Sequence, residues 1–302
     1  MKIVYFGTPE FAVKPLESLF QDKSFEIVAV ITQPDKPQGR KQIPTSSPVK
    51  SSAKKLNLKV IQPENCQKLL EELKKIGPVD LFVVIAYGMI FSKEILKIPK
   101  YVAINVHASL LPKYRGASPI QEAILNGDKE TGISIMAMNE KMDQGDIYLL
   151  KRVTINQNEN YPQLSEKLSG VTANILPAVL RDISNSTLSQ IHQNEQKASY
   201  CHKIEKNDGK INFQESAEKI KNKMRAFTPW PGIFTEFNSK KLKIIEAEIS
   251  DTQLEPGKFA IEGKTLKIGT KKGSLVPRKL QIEGKNVMEV NSFINGYKAL
   301  IK

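Results

Sequence analysis

Two cysteines, Cys66 and Cys201, are all that the 302 residues contain, far apart and in no paired pattern. A disulfide framework and a thiolate zinc site are therefore both excluded. The dinucleotide fingerprint G-x-G-x-x-G is also missing. Gly7 is the only glycine between Lys2 and Ala12, so a dinucleotide site has no direct support. No apolar run approaches the length of a membrane span; the longest, Leu81–Ala86, is far short of the roughly 20 residues required. The first residues run straight into a strand-like pattern, without the basic region and longer apolar stretch of a secretory signal. These absences fit a soluble protein of the reducing cytoplasm with no membrane partner. There is no internal repeat.

What is present is an ordinary globular balance, 40% hydrophobic and 25% charged. A chain of this length fits two domains. The net charge is +13, which speaks about partners rather than fold and suits a polyanion such as nucleic acid. A lysine-rich composition bias is the bland alternative. The excess is denser towards the C-terminus: +5 over residues 1–182 and +8 over the shorter 183–302. A second basic stretch lies between Gln33 and Lys59. It holds Lys36, Arg40, Lys41, Lys50, Lys54, Lys55 and Lys59 against Asp35 alone.

The first half alternates strand and helix signals. Ile3–Phe6, Ile27–Thr32, Leu58–Ile61, Leu81–Ala86 and Val102–Val106 read as strands. Thr8-Pro9 reads as a helix cap followed by proline at the first helical position, with a helix to about Phe20. Ser47-Pro48 opens another helix, and Glu64–Lys75 is amphipathic. The continuous apolar run Leu81–Ala86 suits a strand covered on both faces. The pattern predicts a doubly wound, mostly parallel α/β sheet over residues 1–182, continuing through Pro119–Asn126 (helix), Gly132–Met138 and Ile147–Ile155 (strands) and Tyr161–Arg181 (helix). Residues 183–206 are polar and aperiodic and read as a linker. Residues 207–302 hold a helix, Ala217–Phe227, and then five short strands: Phe234–Phe237, Leu242–Ile249, Gly257–Ile261, Thr265–Ile268 and Lys279–Ile282. Val290–Asn295 closes the chain as a short helix. A small β-barrel of the oligonucleotide-binding type is expected there, with a sandwich as the alternative. The single tryptophan, Trp230, is expected to pack into that domain as a core anchor.

Chemistry concentrates in Asn105-Val106-His107-Ala108-Ser109-Leu110-Leu111-Pro112. Two residues apart on a strand, Asn105 and His107 point to one face. At the C-terminal edge of a parallel sheet they would enter the ligand crevice. An amide and an imidazole side by side can hold a developing oxyanion and move a proton near neutral pH. The alternative is a polar pair capping a strand end. The apolar loop that follows, leading to Tyr114, Arg115 and Gly116, suits the lining of a pocket for a flat ligand. An acid is available from Met142-Asp143-Gln144-Gly145-Asp146, whose plain reading is a tight turn.

Asn105-x-His107-x-Ser109-Leu110-Leu111-Pro112 followed by Asp143-x-Gly145-Asp146 resembles the signature of the folate-dependent formyltransferases. The resemblance implies Asn105, His107 and Asp143 as catalytic trio, with Ser109, Leu110, Leu111 and Pro112 as a folate-contacting loop. It further implies that Tyr87 and Gly88 border the folate pocket. Other stretches, IVYFGTPEFA (Ile3–Ala12), TQPDKPQGR (Thr32–Arg40), Asp208-Gly209, RAFTPWPG (Arg225–Gly232) and Leu280–Gly296, look like the branch of that family whose acceptor is methionine on initiator tRNA. Thr228 stands where that branch usually has Asn. The resemblance thus implies 10-formyltetrahydrofolate as formyl donor, initiator methionyl-tRNA as acceptor, a monomer, and no metal. Arg40, with Lys41 beside it, would reach the acceptor stem from the basic loop, whose prolines at 34, 37, 44 and 48 argue against regular structure. Two other readings are a formyltransferase acting on a small amine, which would not need the last 100 or so residues, and an RNA-binding protein without activity.

Overall fold

A computed structural model describes residues 1–38 and 43–301. The apolar runs of the first half become a seven-stranded sheet: β1 (Lys2–Gly7), β2 (Glu26–Ile31), β3 (Val60–Ile61), β4 (Leu81–Ile85), β5 (Val102–His107), β6 (Glu130–Ala137) and β7 (Ile147–Thr154). Their order is β7-β6-β5-β4-β1-β2-β3. The five from β3 to β5 are mutually parallel, while β6 and β7 add on antiparallel. The chain runs outward from β1 to β2 and β3, then returns to lay β4 on the other side of β1. Ligand crevices open at such a reversal, outside the carboxyl ends of the strands.

All five residues of β4 are buried, as its unbroken apolar sequence requires. Phe6, Phe82, Tyr87 and Phe91 pack on one side of the sheet, with ring centroids 5.0–6.1 Å apart. Each such side chain contributes about 1.5–3 kcal/mol by leaving water. Helix ends follow local chemistry. The Ser47 hydroxyl accepts from the Lys50 N–H at the start of Pro48–Lys55, and Asn65 caps Cys66–Ile76 in the same way. Thr8 does not act as the expected cap. A 3-10 turn, Glu10–Ala12, intervenes, and the helix begins at Val13. The Thr8 hydroxyl instead donates to the Tyr87 carbonyl and accepts from the Gln33 N–H, both at 3.4 Å, joining the ends of β1, β2 and β4.

The chain divides into two compact units. One comprises Met1–Pro119, Glu130–Thr154 and Leu164–His202; the other comprises Ile120–Lys129, Ile155–Gln163 and Lys203–Lys302. The second carries an antiparallel sheet of β8 (Ile233–Phe237), β9 (Lys240–Ser250), β10 (Phe259–Glu262), β11 (Thr265–Gly269), β12 (Ser274–Ile282) and β13 (Met288–Glu289). The order is β8-β9-β12-β11-β10, with β13 on β12. Phe237 of β8 and Phe259 of β10, from the two ends of this path, meet at 5.2 Å, so the sheet curls around its core. Phe293 of the helix Val290–Tyr297 fills the centre against Phe237 at 5.3 Å.

Three expectations are corrected here. β12 starts at Ser274, five residues before the expected Lys279, and takes in Pro277. That proline faces Ala247 beside an irregularity in β9, the kind of place where a strand tolerates a missing N–H. Trp230 is 57% exposed rather than a core anchor. Its neighbours Phe227 and Ile233 fill the interior, and the Gly232 N–H bonds the Phe227 carbonyl, leaving Trp230 outside the turn. The proline-rich basic segment also contains regular structure: Lys36–Gln38 and Ile43–Thr45 pair antiparallel, with Pro37 opposite Pro44. A two-stranded ribbon has free edges where no N–H is demanded.

Candidate active site

His107 is the last residue of β5, and Asn105 lies two before it. Opposite them on β6 are Ser134 and Met136. The turn between β6 and β7 brings Asp143 to the same place. Its backbone is left-handed, with φ +55, a conformation that Asp tolerates better than most residues.

The three side chains converge. Asn105 Nδ2 donates to Asp143 Oδ1 at 3.2 Å. The Gly116 N–H donates to Asp143 Oδ2 at 2.9 Å. The same Oδ2 lies 3.6 Å from His107 Nδ1. His107 Nε2 is 2.9 Å from the Tyr114 carbonyl oxygen, which only accepts. Nε2 therefore carries a hydrogen, and Nδ1, facing the carboxylate, is the nitrogen that can gain or lose a proton. The His107 side chain is 6% exposed and that of Asp143 12%, so both are largely shielded from solvent.

The loop after β5 is fixed from within. The Ser109 hydroxyl, fully buried, donates to the Lys113 carbonyl at 2.5 Å. Ser134 Oγ accepts from the Leu111 N–H at 3.0 Å and donates to the Ser109 carbonyl at 2.6 Å. Leu111 is buried with Met136 and Ile147. Leu110 rests on Gly132, where an added Cβ would come within 2.5 Å of it. Leu110 and Pro112 stay half-exposed, as candidates to face a ligand.

Past β4, Ala86 and Gly88 both take positive φ, +47 and +83. Gly88 is exposed, and a Cβ there would meet nothing within 4 Å. Tyr87 between them points the other way. Its ring is buried with Phe6 and Phe91, its hydroxyl has no partner among the described residues, and burial pushes its pKa well above the ordinary tyrosine value. Any contact from Tyr87 to a ligand at this edge is through its backbone. Arg40 and Lys41 lie outside the described residues. Earlier in the same segment, Asp35 accepts from Lys50 Nζ at 2.7 Å and Gln62 Nε2 at 2.8 Å, and these bonds hold its carboxyl below the usual range. Among the described residues no three His, Cys, Asp or Glu side chains are grouped to hold a metal ion, and no helix is long and apolar enough to cross a membrane.

Residues 1–180 match the formyl transferase family, and residues 203–298 match the formyl transferase C-terminal domain. The chain belongs to the formyl transferase family. It is 45% identical to a methionyl-tRNA formyltransferase of Caldicellulosiruptor saccharolyticus, over 99% of this chain and 97% of that one. A methionyl-tRNA formyltransferase of Sulfurihydrogenibium is 42% identical over the same shares. Among solved structures, the N-formyltransferase from Helicobacter canadensis in complex with folinic acid and dTDP-3-aminofucose superposes with TM-score 0.68 at 22% identity, covering 92% of this chain and 98% of that one. At that identity the likeness is one of fold.

Family motifs and spacing alone do not disclose every group around the trio. The Tyr114 carbonyl and Gly116 N–H hold His107 and Asp143 through the main chain, and only the glycine type hinted at a special backbone. Gly116 has φ +122, and an added Cβ would lie 2.2 Å from the Cys201 carbonyl oxygen. Residues Arg115–Gly116 pair in parallel with Tyr200–Cys201. The segment read as a linker therefore contributes a strand beside the site.

Proposed function

We propose that this chain transfers the formyl group of 10-formyltetrahydrofolate to the free α-amino group of initiator methionyl-tRNA, giving N-formylmethionyl-tRNA. The observation that carries the reading is the convergence of Asn105, His107 and Asp143 at the C-terminal edge of β5, in a chain related end to end to proteins named for that reaction. The folate-bound neighbour supports a folate donor. Open space at Gly88 and the half-exposed Leu110 and Pro112 suit a flat heterocycle at the same edge.

The folate supplies an activated formyl carbon. The attacking amine has an ordinary pKa near 8, so a useful fraction is neutral at pH 7 and needs no strong base. Alignment is the large contribution, up to roughly 7–11 kcal/mol in ideal cases. Asn105 gives one N–H to Asp143; its second N–H is the donor for the oxygen that becomes negative as the amine attacks, an effect worth about 3–4 kcal/mol. Nδ1 of His107 is the site from which a proton reaches the departing folate nitrogen. Asp143, which faces Nδ1, takes up, directly or through water, the proton that the amine loses and hands it to Nδ1 for that transfer. One C–N bond forms, one breaks, and one proton passes from the amine to the leaving nitrogen.

Acceptor recognition falls to the basic loop, with Arg40 and Lys41 at the acceptor stem, and to residues 183–302, whose net charge of +8 suits phosphate contacts that position without reading sequence. The same reading has the enzyme acting as a cytoplasmic monomer. The test supplies 10-formyltetrahydrofolate with charged initiator tRNA, and with charged elongator tRNA as control. Formylation of the initiator is expected. Formylation only of a small free amine, or none at all, overturns the reading.

A further inference from the structure

Gln193 is the one buried residue between Ile183 and Cys201, at 3% exposure in a largely polar stretch whose other residues are exposed or half-buried. A buried carboxamide is costly unless every donor and acceptor is matched. This one is matched at both ends. Nε2 donates to the Asp143 carbonyl at 2.9 Å and the Gly145 carbonyl at 2.7 Å. Oε1 accepts from Arg115 Nε at 3.1 Å and Nη2 at 2.8 Å.

Arg115 is itself fully buried. Besides the two bonds to Gln193, Nη1 and Nη2 reach the two Glu195 oxygens at 2.8 and 2.7 Å, and Nη1 reaches the Tyr200 hydroxyl at 3.3 Å. All five guanidinium hydrogens are thus placed, in the fork geometry that makes Arg a rigid holder. The chain of contacts Glu195–Arg115–Gln193 ends on the backbone of the residue that supplies the carboxylate. That residue sits at φ +55, a conformation costing on the order of 1–2 kcal/mol, which the surroundings must hold in place.

We infer that Gln193 is a positioning residue for the transfer. By clamping the Asp143–Gly145 turn it keeps the Asp143 carboxylate on Asn105 and facing Nδ1 of His107, while Arg115 fixes Gln193 in turn. The inference rests on the function proposed above, and it places part of the catalytic frame in the segment between the two matched family regions.

Two substitutions separate positioning from bulk stability. Gln193→Glu keeps the acceptor that Arg115 uses and removes the donors to Asp143 and Gly145. Gln193→Met keeps the volume and removes every hydrogen bond. If one fails to fold, the other carries the test. Both are read by steady-state formylation of initiator methionyl-tRNA beside thermal unfolding. The expected result is a kcat lowered roughly 10- to 100-fold, the scale of a misplacement of about 1 Å, with both Michaelis constants within about twofold of wild type. In an Asp143→Asn background the same substitution should add less than about a further twofold, because it acts through Asp143. An unchanged kcat, a change confined to the Michaelis constants, or a full multiplicative loss in the Asp143→Asn background overturns the inference. A wild-type chain that forms no formylmethionyl-tRNA overturns the proposed function instead. In that case, an unaltered Asn105–Asp143 contact in a crystal structure of Gln193→Met would still overturn the positioning role.

Discussion

Asn105 and Asp143, 38 positions apart, share a hydrogen bond of 3.2 Å that ties the end of β5 to the β6–β7 turn. The carboxylate thereby has one oxygen on a side-chain amide and the other on the Gly116 N–H, and its orientation towards His107 is set from both sides. We regard that shared acid as the centre of the site, because each of the other two members is placed relative to it.

Removing any one of the three should disable chemistry without unfolding the chain. Asn105→Ala, His107→Ala and Asp143→Ala are each predicted to lower kcat by about 10²–10³-fold, the scale of a lost oxyanion donor or proton-transfer group. Initial rates beside thermal unfolding make the check. A variant that retains nearly full turnover does not belong to the trio.

Gly145 offers a test of the turn itself. A Cβ there would lie 1.7 Å from the Ala137 carbonyl oxygen and 2.8 Å from its carbon, both backbone atoms. The Ala137 N–H also bonds the Asp146 carbonyl across this turn. Gly145→Ala should therefore cost about 1–3 kcal/mol and displace Asp143, lowering both the unfolding midpoint and kcat. Wild-type values for both would show that the turn relaxes at no cost.

The clamp should also leave a mark on acid stability. The Arg115 guanidinium holds the Glu195 carboxyl below the usual glutamate range. A depressed folded-state value means that the unfolded chain binds the proton more readily, so the contribution is complete above the ordinary value of about 4.3 and is lost as pH falls through the lowered one. Glu195→Gln is predicted to flatten the acid limb of the stability curve below about pH 5 while changing little near neutrality in slope. Denaturant titrations across that window decide it; parallel curves for wild type and variant would refute the coupling.

Arg40→Ala and Lys41→Ala are predicted to raise the Michaelis constant for tRNA, to weaken its salt dependence, and to leave that for folate in place. Unaltered use of tRNA by both variants would remove the loop from acceptor recognition.

Much of this architecture was legible in the sequence. Leu81–Ala86 announced a strand buried on both faces, and β4 is one. Asn105 and His107 read as neighbours on a strand face because the period of two is geometric, and they are. The polar segment after residue 182 was opaque for a physical reason. Gln193 carries no hydrophobic signal, and its burial depends on an arginine 78 positions away. Tyr87 shows a different limit of sequence reading. A motif position suggested a pocket, while apolar packing with Phe6 and Phe91 claimed the ring. Residue type alone places Trp230 in the core, whereas Phe227 and Ile233 fill it.

The parallel pairing of Arg115–Gly116 with Tyr200–Cys201 bears on how the polypeptide can be dissected. A fragment excised at Asp182 would retain Asn105, His107 and Asp143 yet discard Gln193, Glu195 and the strand that flanks Gly116. Excision after His202 keeps them together. An N-terminal piece that keeps these contacts is therefore about twenty residues longer than hydrophobic periodicity would mark out, and it also carries Ile120–Lys129 and Ile155–Gln163, which belong to the second unit.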